Sequence, residues 1–217
     1  MKKAGLSNSE ISFIKKLKTP INIQEFIDSL EYNKGRRVSI IDVLRLKKAD
    51  CLEGACFAAY ALSINGFKDT FLIDLCSKNE KDEDHVVCVF KANGLYGAIG
   101  QSKYIGLKYK NPVYRTPREL VMSYSEHYFN YLGIYDLKKY SALLRFGNIS
   151  KENLSSYKYI CKTEKKFDKL KHMEVVPDKI KLPKVSKEAF VRELLMIPKN
   201  ACIGKEYISV AKRIKKI

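Results

Sequence analysis

No apolar run in the 217-residue chain approaches the ~20 residues that a membrane-crossing helix requires, which excludes a helical membrane span. Behind the basic start Met1-Lys2-Lys3 there is no apolar stretch of the secretory-signal kind, so a cytoplasmic location and reduced thiols are expected. The six cysteines (Cys51, Cys56, Cys76, Cys88, Cys161 and Cys202) contain no C-x-x-C pair and no metal-type Cys/His spacing. No metal and no cofactor are expected on that ground. Internal repeats and low-complexity linkers are absent too, so one domain is the simplest division. Acidic residues are few: 24 Asp and Glu against 41 Lys and Arg leave a net charge of +17.

What is present reads as an ordinary globular chain, with 46% hydrophobic and 30% charged residues, and not as a disordered or collagen-like one. The positive excess suggests an anionic partner. It is mostly Lys spread from Lys2 to Lys216, however, and no nucleic-acid recognition motif accompanies it, so nucleic acid is not the expected partner. The basic end Ala211 to Ile217 reads as a solvated helix end.

Helical spacing appears over residues 7–17, 21–30 and 39–46, with Ser7 among the cap candidates and Pro20 near the second helix start. Residues 50–64 are the most distinctive helix. They open on Asp50-Cys51-Leu52-Glu53-Gly54, continue through Ala55 to Leu62 with many small side chains, and stop at Asn65-Gly66. Three strand-like runs follow at 70–75, 85–90 and 95–99, the last two joined by the hairpin signal Asn93-Gly94. Residues 108–114 read as extended, 117–131 as a helix rich in Tyr and Phe, and 185–195 as a final helix capped by Ser186. Little periodicity marks 133–184.

Two residues stand out chemically. Cys51 sits at a helix start, where unpaired amides favour a thiolate and lower its pKa. Cys56 lies within the same helix, so position favours Cys51. His85 begins a strand behind an acidic loop, Glu80 to Asp84, and alternation sets His85, Val87 and Val89 on one face against Val86, Cys88 and Phe90.

The order of a Cys on a helix followed by a His at the start of a hairpin strand resembles the transglutaminase-like superfamily, a papain-like cysteine-nucleophile fold. The resemblance runs from Asp50 to Ser102, with Cys51, Ala55 and Gly66 at the family's helix positions, and is most like an uncharacterised bacterial branch. It implies an α+β fold in which N-terminal helices and a central Cys-bearing helix pack on a small antiparallel sheet. It further implies a core over about residues 19–132 and a C-terminal extension over 133–217. The implied chemistry is acyl transfer or hydrolysis of a peptide or protein amide, with Cys51 as nucleophile and His85 as base. Where the family has an Asp to orient the imidazole, this chain has Gly100. Strand parity makes Ser102 the nearest replacement, Gln101 serves only through a bulge, and Asp84 only across its loop. Gln24 is a candidate oxyanion donor in the papain manner, beside the helix-start amides. The alternative is a catalytically degenerate module of the same fold that binds peptide or protein without turnover. The oligomeric state stays open.

Overall fold

The computed structural model describes residues 5–78, 84–130, 133–177 and 179–196. The acidic residues 80–83, Cys202 and the basic end 211–217 lie outside the described residues. Four helices come first: α1 (Asn8–Lys16), α2 (Pro20–Asp28), α3 (Ile40–Leu46) and α4 (Cys51–Ile64). Short strands β1 (Glu31–Tyr32) and β2 (Lys48–Ala49) pair in parallel between them. Each helix starts on a side-chain cap, in turn Ser7, Thr19, Ser39 and Asp50, which satisfies amides that the helix itself leaves unpaired. Helix α4 ends at Asn65, with Gly66 at φ +88° turning the chain away.

The main sheet holds β3 (Thr70–Ser77), β4 (His85–Ala92), β5 (Leu95–Ile99), β6 (Lys110–Tyr114), β7 (Leu137–Ser141), β8 (Leu144–Arg145) and β9 (His172–Glu174). Its order is β6-β5-β4-β3-β7-β9, antiparallel at every junction, with β8 also on β3. Asn93 and Gly94 both take positive φ at the β4–β5 turn, the geometry that lets a two-residue loop follow strand twist. Helices α5 (Pro117–Met122), α6 (Lys151–Leu154), α7 (Tyr157–Phe167) and α8 (Lys187–Met196) complete an α+β architecture.

Strand alternation separates two apolar cores. Val86, Cys88 and Phe90 face α4, whose Ala55, Cys56, Ala58 and Ala59 are small enough to let the helix lie close on the sheet. Val87 and Val89 face the opposite core with Leu120, Val121 and Tyr124. The face assignment expected from sequence is the one observed. The helix expected over 117–131 is not: α5 stops at Met122. Ser123 and Ser125 turn their hydroxyls back to donate to Leu120 and Met122 carbonyls, competing with helical bonds, while Tyr124 and Tyr128 are drawn into the core. Residues beyond 133 also do more than their sequence pattern suggested, since β7 pairs directly with the central strand β3.

Candidate active site

The first turn of α4 is held by a reciprocal cap. The Asp50 carboxylate accepts from the Glu53 amide (2.9 Å), and the Glu53 carboxylate accepts from the Asp50 amide (2.8 Å). Glu53 is fully buried and also accepts from the Val38 amide (2.7 Å) and from Asn33 Nδ2 (2.9 and 3.1 Å). Its carboxyl is pushed above the usual range by burial and pulled back by those donors. Arg37 pairs with Asp50 and with Glu164 of α7, so the helix tip is also tied to a segment far along the chain.

Cys51, one residue past the cap, is half-buried. Its thiol points to the Asp84 carbonyl (4.0 Å) and is acted on by the Val86 amide, so the sulfur lies against the backbone on either side of His85. The expected lowering of its pKa is not what the surroundings produce. Burial pushes the thiol up from 9.0; the Val86 amide, the Arg37 charge and the Leu52 amide oppose this, and Asp74 adds to it.

His85 is buried at the first position of β4, opposite Leu75 of β3. Its Nε2–H donates to the Leu107 carbonyl at 2.8 Å. That tautomer leaves the lone pair on Nδ1. Burial lowers the imidazole pKa to about 4, with the Leu107 carbonyl opposing, so the ring is neutral at pH 7.

Leu107 ends a short 3₁₀ turn, Ile105–Leu107, and its carbonyl explains Gly100. A Cβ placed on Gly100 would sit 3.0 Å from that oxygen, 3.1 Å from Val87 Cγ1 and 3.4 Å from the Lys108 oxygen. The position where an aspartate side chain would begin is therefore filled by main chain, and a carbonyl dipole takes the imidazole N–H.

Ser102 lines the same cleft as Cys51 and His85. Its hydroxyl oxygen accepts from the Tyr104 amide (3.1 Å), and β5 ends at Ile99, so strand parity does not reach it. Among the described residues the hydrogen-bond partner of the imidazole is Leu107, where Ser102 had been expected. Gln101 is buried and donates to the Ile27 carbonyl (3.2 Å), away from the imidazole. The Asp84 carboxylate accepts from the Ser77 amide (2.9 Å), not from His85. Gln24 departs from expectation for a similar reason. It is 2% exposed, and both ends of its amide are committed to Gly100, donating to the carbonyl and accepting from the amide at 3.0 Å each. It locks the strand end beneath the 3₁₀ turn and does not line the cleft.

The cleft has a volume of about 1020 Å³. Lys34, Arg37 and Lys103 supply positive charge to its lining, and Asp74, Asp84, Asp136, Glu164 and Asp168 supply negative charge. The contribution of α7 falls in the stretch whose sequence shows little periodicity. The Asp50–Glu53 cap did have one, the D-x-x-E pattern before an apolar run.

A thiol at a helix tip, an imidazole at the start of the adjoining strand and an antiparallel sheet beneath them define a transglutaminase-like, cysteine-protease-type fold. Within that class, the vasohibin family model matches residues 40–188, and the chain belongs to the vasohibin family. No curated protein matches the chain.

Proposed function

We propose that the chain is a cysteine-dependent hydrolase or acyltransferase acting on a peptide or protein amide, with Cys51 as nucleophile and His85 as general base. The observation that carries this reading is the shared cleft: the Cys51 sulfur lies against the backbone flanking His85, and Nε2–H of His85 rests on the Leu107 carbonyl, leaving Nδ1 as the basic nitrogen.

The resting pair is neutral, so the proton moves as the bond forms. Nδ1 takes the S–H proton while sulfur attacks the amide carbon, and the Leu107 carbonyl supports the resulting imidazolium through its Nε2–H. The Cys51 amide, which has no partner among the described residues, supplies a donor for the developing oxyanion. The imidazolium then returns its proton to the leaving amine and a thioester remains on Cys51. Water, or an acceptor amine, attacks that thioester as it gives a proton to Nδ1; the C–S bond breaks, the acyl group leaves as an acid or a new amide, and Nδ1 returns the proton to the Cys51 sulfur. Ser102 lines the cleft, and the orienting role first expected of it passes to Leu107.

The test is to incubate the protein with a mixed peptide substrate pool and read new termini or mass changes by mass spectrometry, alongside Cys51→Ala. Products with the natural chain and none with the variant are expected. Products persisting in Cys51→Ala overturn the assignment. The degenerate binding module is favoured by one feature, a carbonyl in place of a carboxylate behind the imidazole. It would capture peptide in both proteins and release it unchanged.

A further inference from the structure

A second cluster of reactive side chains adjoins the cleft through Asp74, assembled from two distant stretches of chain. Asp74 and Cys76 share one face of β3, with the Cys76 sulfur 3.6 Å from Asp74 Oδ2. Both are buried, 8% and 3% exposed. His172 arrives on β9, two strands away. Ser141 of β7 lies between, pairing with His172 and accepting the Asp74 amide at 3.0 Å. The small serine leaves room for the imidazole to reach across. One donor atom from each of Asp74, Cys76 and His172 lies within 4.8 Å of the other two.

Two further observations point to a ligand. Asp74 Oδ1 is shut off from solvent and has no hydrogen-bond partner, the only such side-chain atom among the described residues. A buried acceptor left unpaired costs ~1–3 kcal/mol, which a bound cation removes. The His172 ring is also held from behind, its Nδ1–H donating to the Leu170 carbonyl at 3.0 Å. That hydrogen bond leaves the lone pair on Nε2, the arrangement in which metal-binding histidines are commonly fixed.

We infer that Asp74, Cys76 and His172 bind one zinc-class divalent cation. A thiolate, an imidazole and a carboxylate together suit a borderline-soft ion, whereas Mg²⁺ and Ca²⁺ call for oxygen alone. Three protein ligands leave a fourth tetrahedral position to water or to a group entering the cleft, which Asp74 also lines. The field is favourable, because Asp84, Asp168 and Glu164 all lie near enough to act on Asp74. Lys139, opposite Cys76 in the ladder, is the opposing charge. On binding, the Cys76 S–H bond breaks, the S–metal bond forms, and one proton passes to solvent. The metal links β3 to β9 and so secures the C-terminal segment to the central strand. The sequence signalled nothing because Asp-x-Cys with one remote His has no ligand spacing.

Co²⁺ titration of chelator-treated Cys51→Ala protein tests this without using turnover, so its outcome is separate from that of the proposed activity. The expected result is a thiolate-to-cobalt charge-transfer band that saturates at one equivalent and is displaced by Zn²⁺. Cys76→Ser in the same background removes the band. His172→Ala, at a half-buried site on the last strand, weakens Co²⁺ binding at least ~10-fold, the scale set by loss of even an outer-shell partner. No band in protein that melts cooperatively, or a band that survives Cys76→Ser, overturns the inference. If Cys76→Ser does not fold, His172→Ala decides: unchanged affinity overturns the site, and the stated loss sustains it.

Discussion

Gly100 invites a repair, since the wider superfamily has an aspartate there, yet Gly100→Asp is expected to damage the protein. The first added atom meets a backbone oxygen at 3.0 Å and a Val87 methyl at 3.1 Å, both fixed by surrounding structure. Crowding of this kind in a packed interior costs ~1–3 kcal/mol. The carboxyl then lies beside the Leu107 and Lys108 carbonyls, which are acceptors like itself, and an unsatisfied buried polar group adds ~1–3 kcal/mol. Together these make ~2–6 kcal/mol, and at ~2–4 °C per kcal/mol for a chain of this size the melting temperature falls by roughly 4–24 °C. Activity falls further than stability, because a displaced Leu107 carbonyl releases the imidazole, and misplacement by about 1 Å costs ~10²-fold. Gly100→Ala separates the two effects, showing the crowding without the carboxyl. The measurements are thermal melts and kcat/KM on whichever substrate the peptide screen yields. An aspartate variant at or above natural kcat/KM with an unchanged melt refutes the reasoning and restores a conventional triad.

Other perturbations follow from the same geometry. His85 titrates near 6.5 when unfolded and about 4 when folded, so the unfolded chain holds more protons between those values; stability is full above about 6.5 and is lost as pH falls through 4. The linkage amounts to ~3 kcal/mol at most, and His85→Asn removes it; equal acid slopes for the two proteins in urea melts refute it. Glu53→Ala leaves the Asn33, Val38 and Asp50 donors facing a void, and a loss of about 3 kcal/mol or more is expected, with Glu53→Gln milder. Iodoacetamide labelling of Cys51 should rise only on the alkaline side of pH 9, and rapid labelling near neutrality would show that the thiol is activated at rest.

The candidate pair was legible because each member sits at a junction that local chemistry announces. Cys51 follows a capping Asp and precedes a small-residue helix, and His85 opens a strand whose alternation divides two cores as expected. The third group was not legible, because a main-chain carbonyl in a 3₁₀ turn leaves no trace in side-chain identity. Gln24 misled for the converse reason: an amide side chain on a helix gives no sign of which backbone it will hold. The strand β7 was hidden by Lys138, whose stem is buried while its Nζ donates to the Val176 carbonyl at 2.6 Å. Helix α7 did carry a buried stripe, Ile160, Thr163 and Phe167, diluted by four lysines and one glutamate elsewhere along it.

The largest departure between expectation and structure concerns the thiol, and magnitudes decide it. A helix N-terminus stabilises an adjacent anion by typically 0.3–1 kcal/mol, less than one pKa unit at ~1.4 kcal/mol per unit. Burial shifts a charged group in the other direction, by up to 3–5 units where it is complete. Cys51 has both influences, and enclosure is the larger. The same enclosure holds His85 neutral, so neither partner carries charge before substrate arrives. The Leu107 dipole behind the ring opposes the effect of burial on His85 without overcoming it, so the imidazole stays neutral at rest. In the proposed mechanism the Leu107 carbonyl suits a base that is charged only during the reaction: it would orient the ring in both states and favour the cation without creating it in advance.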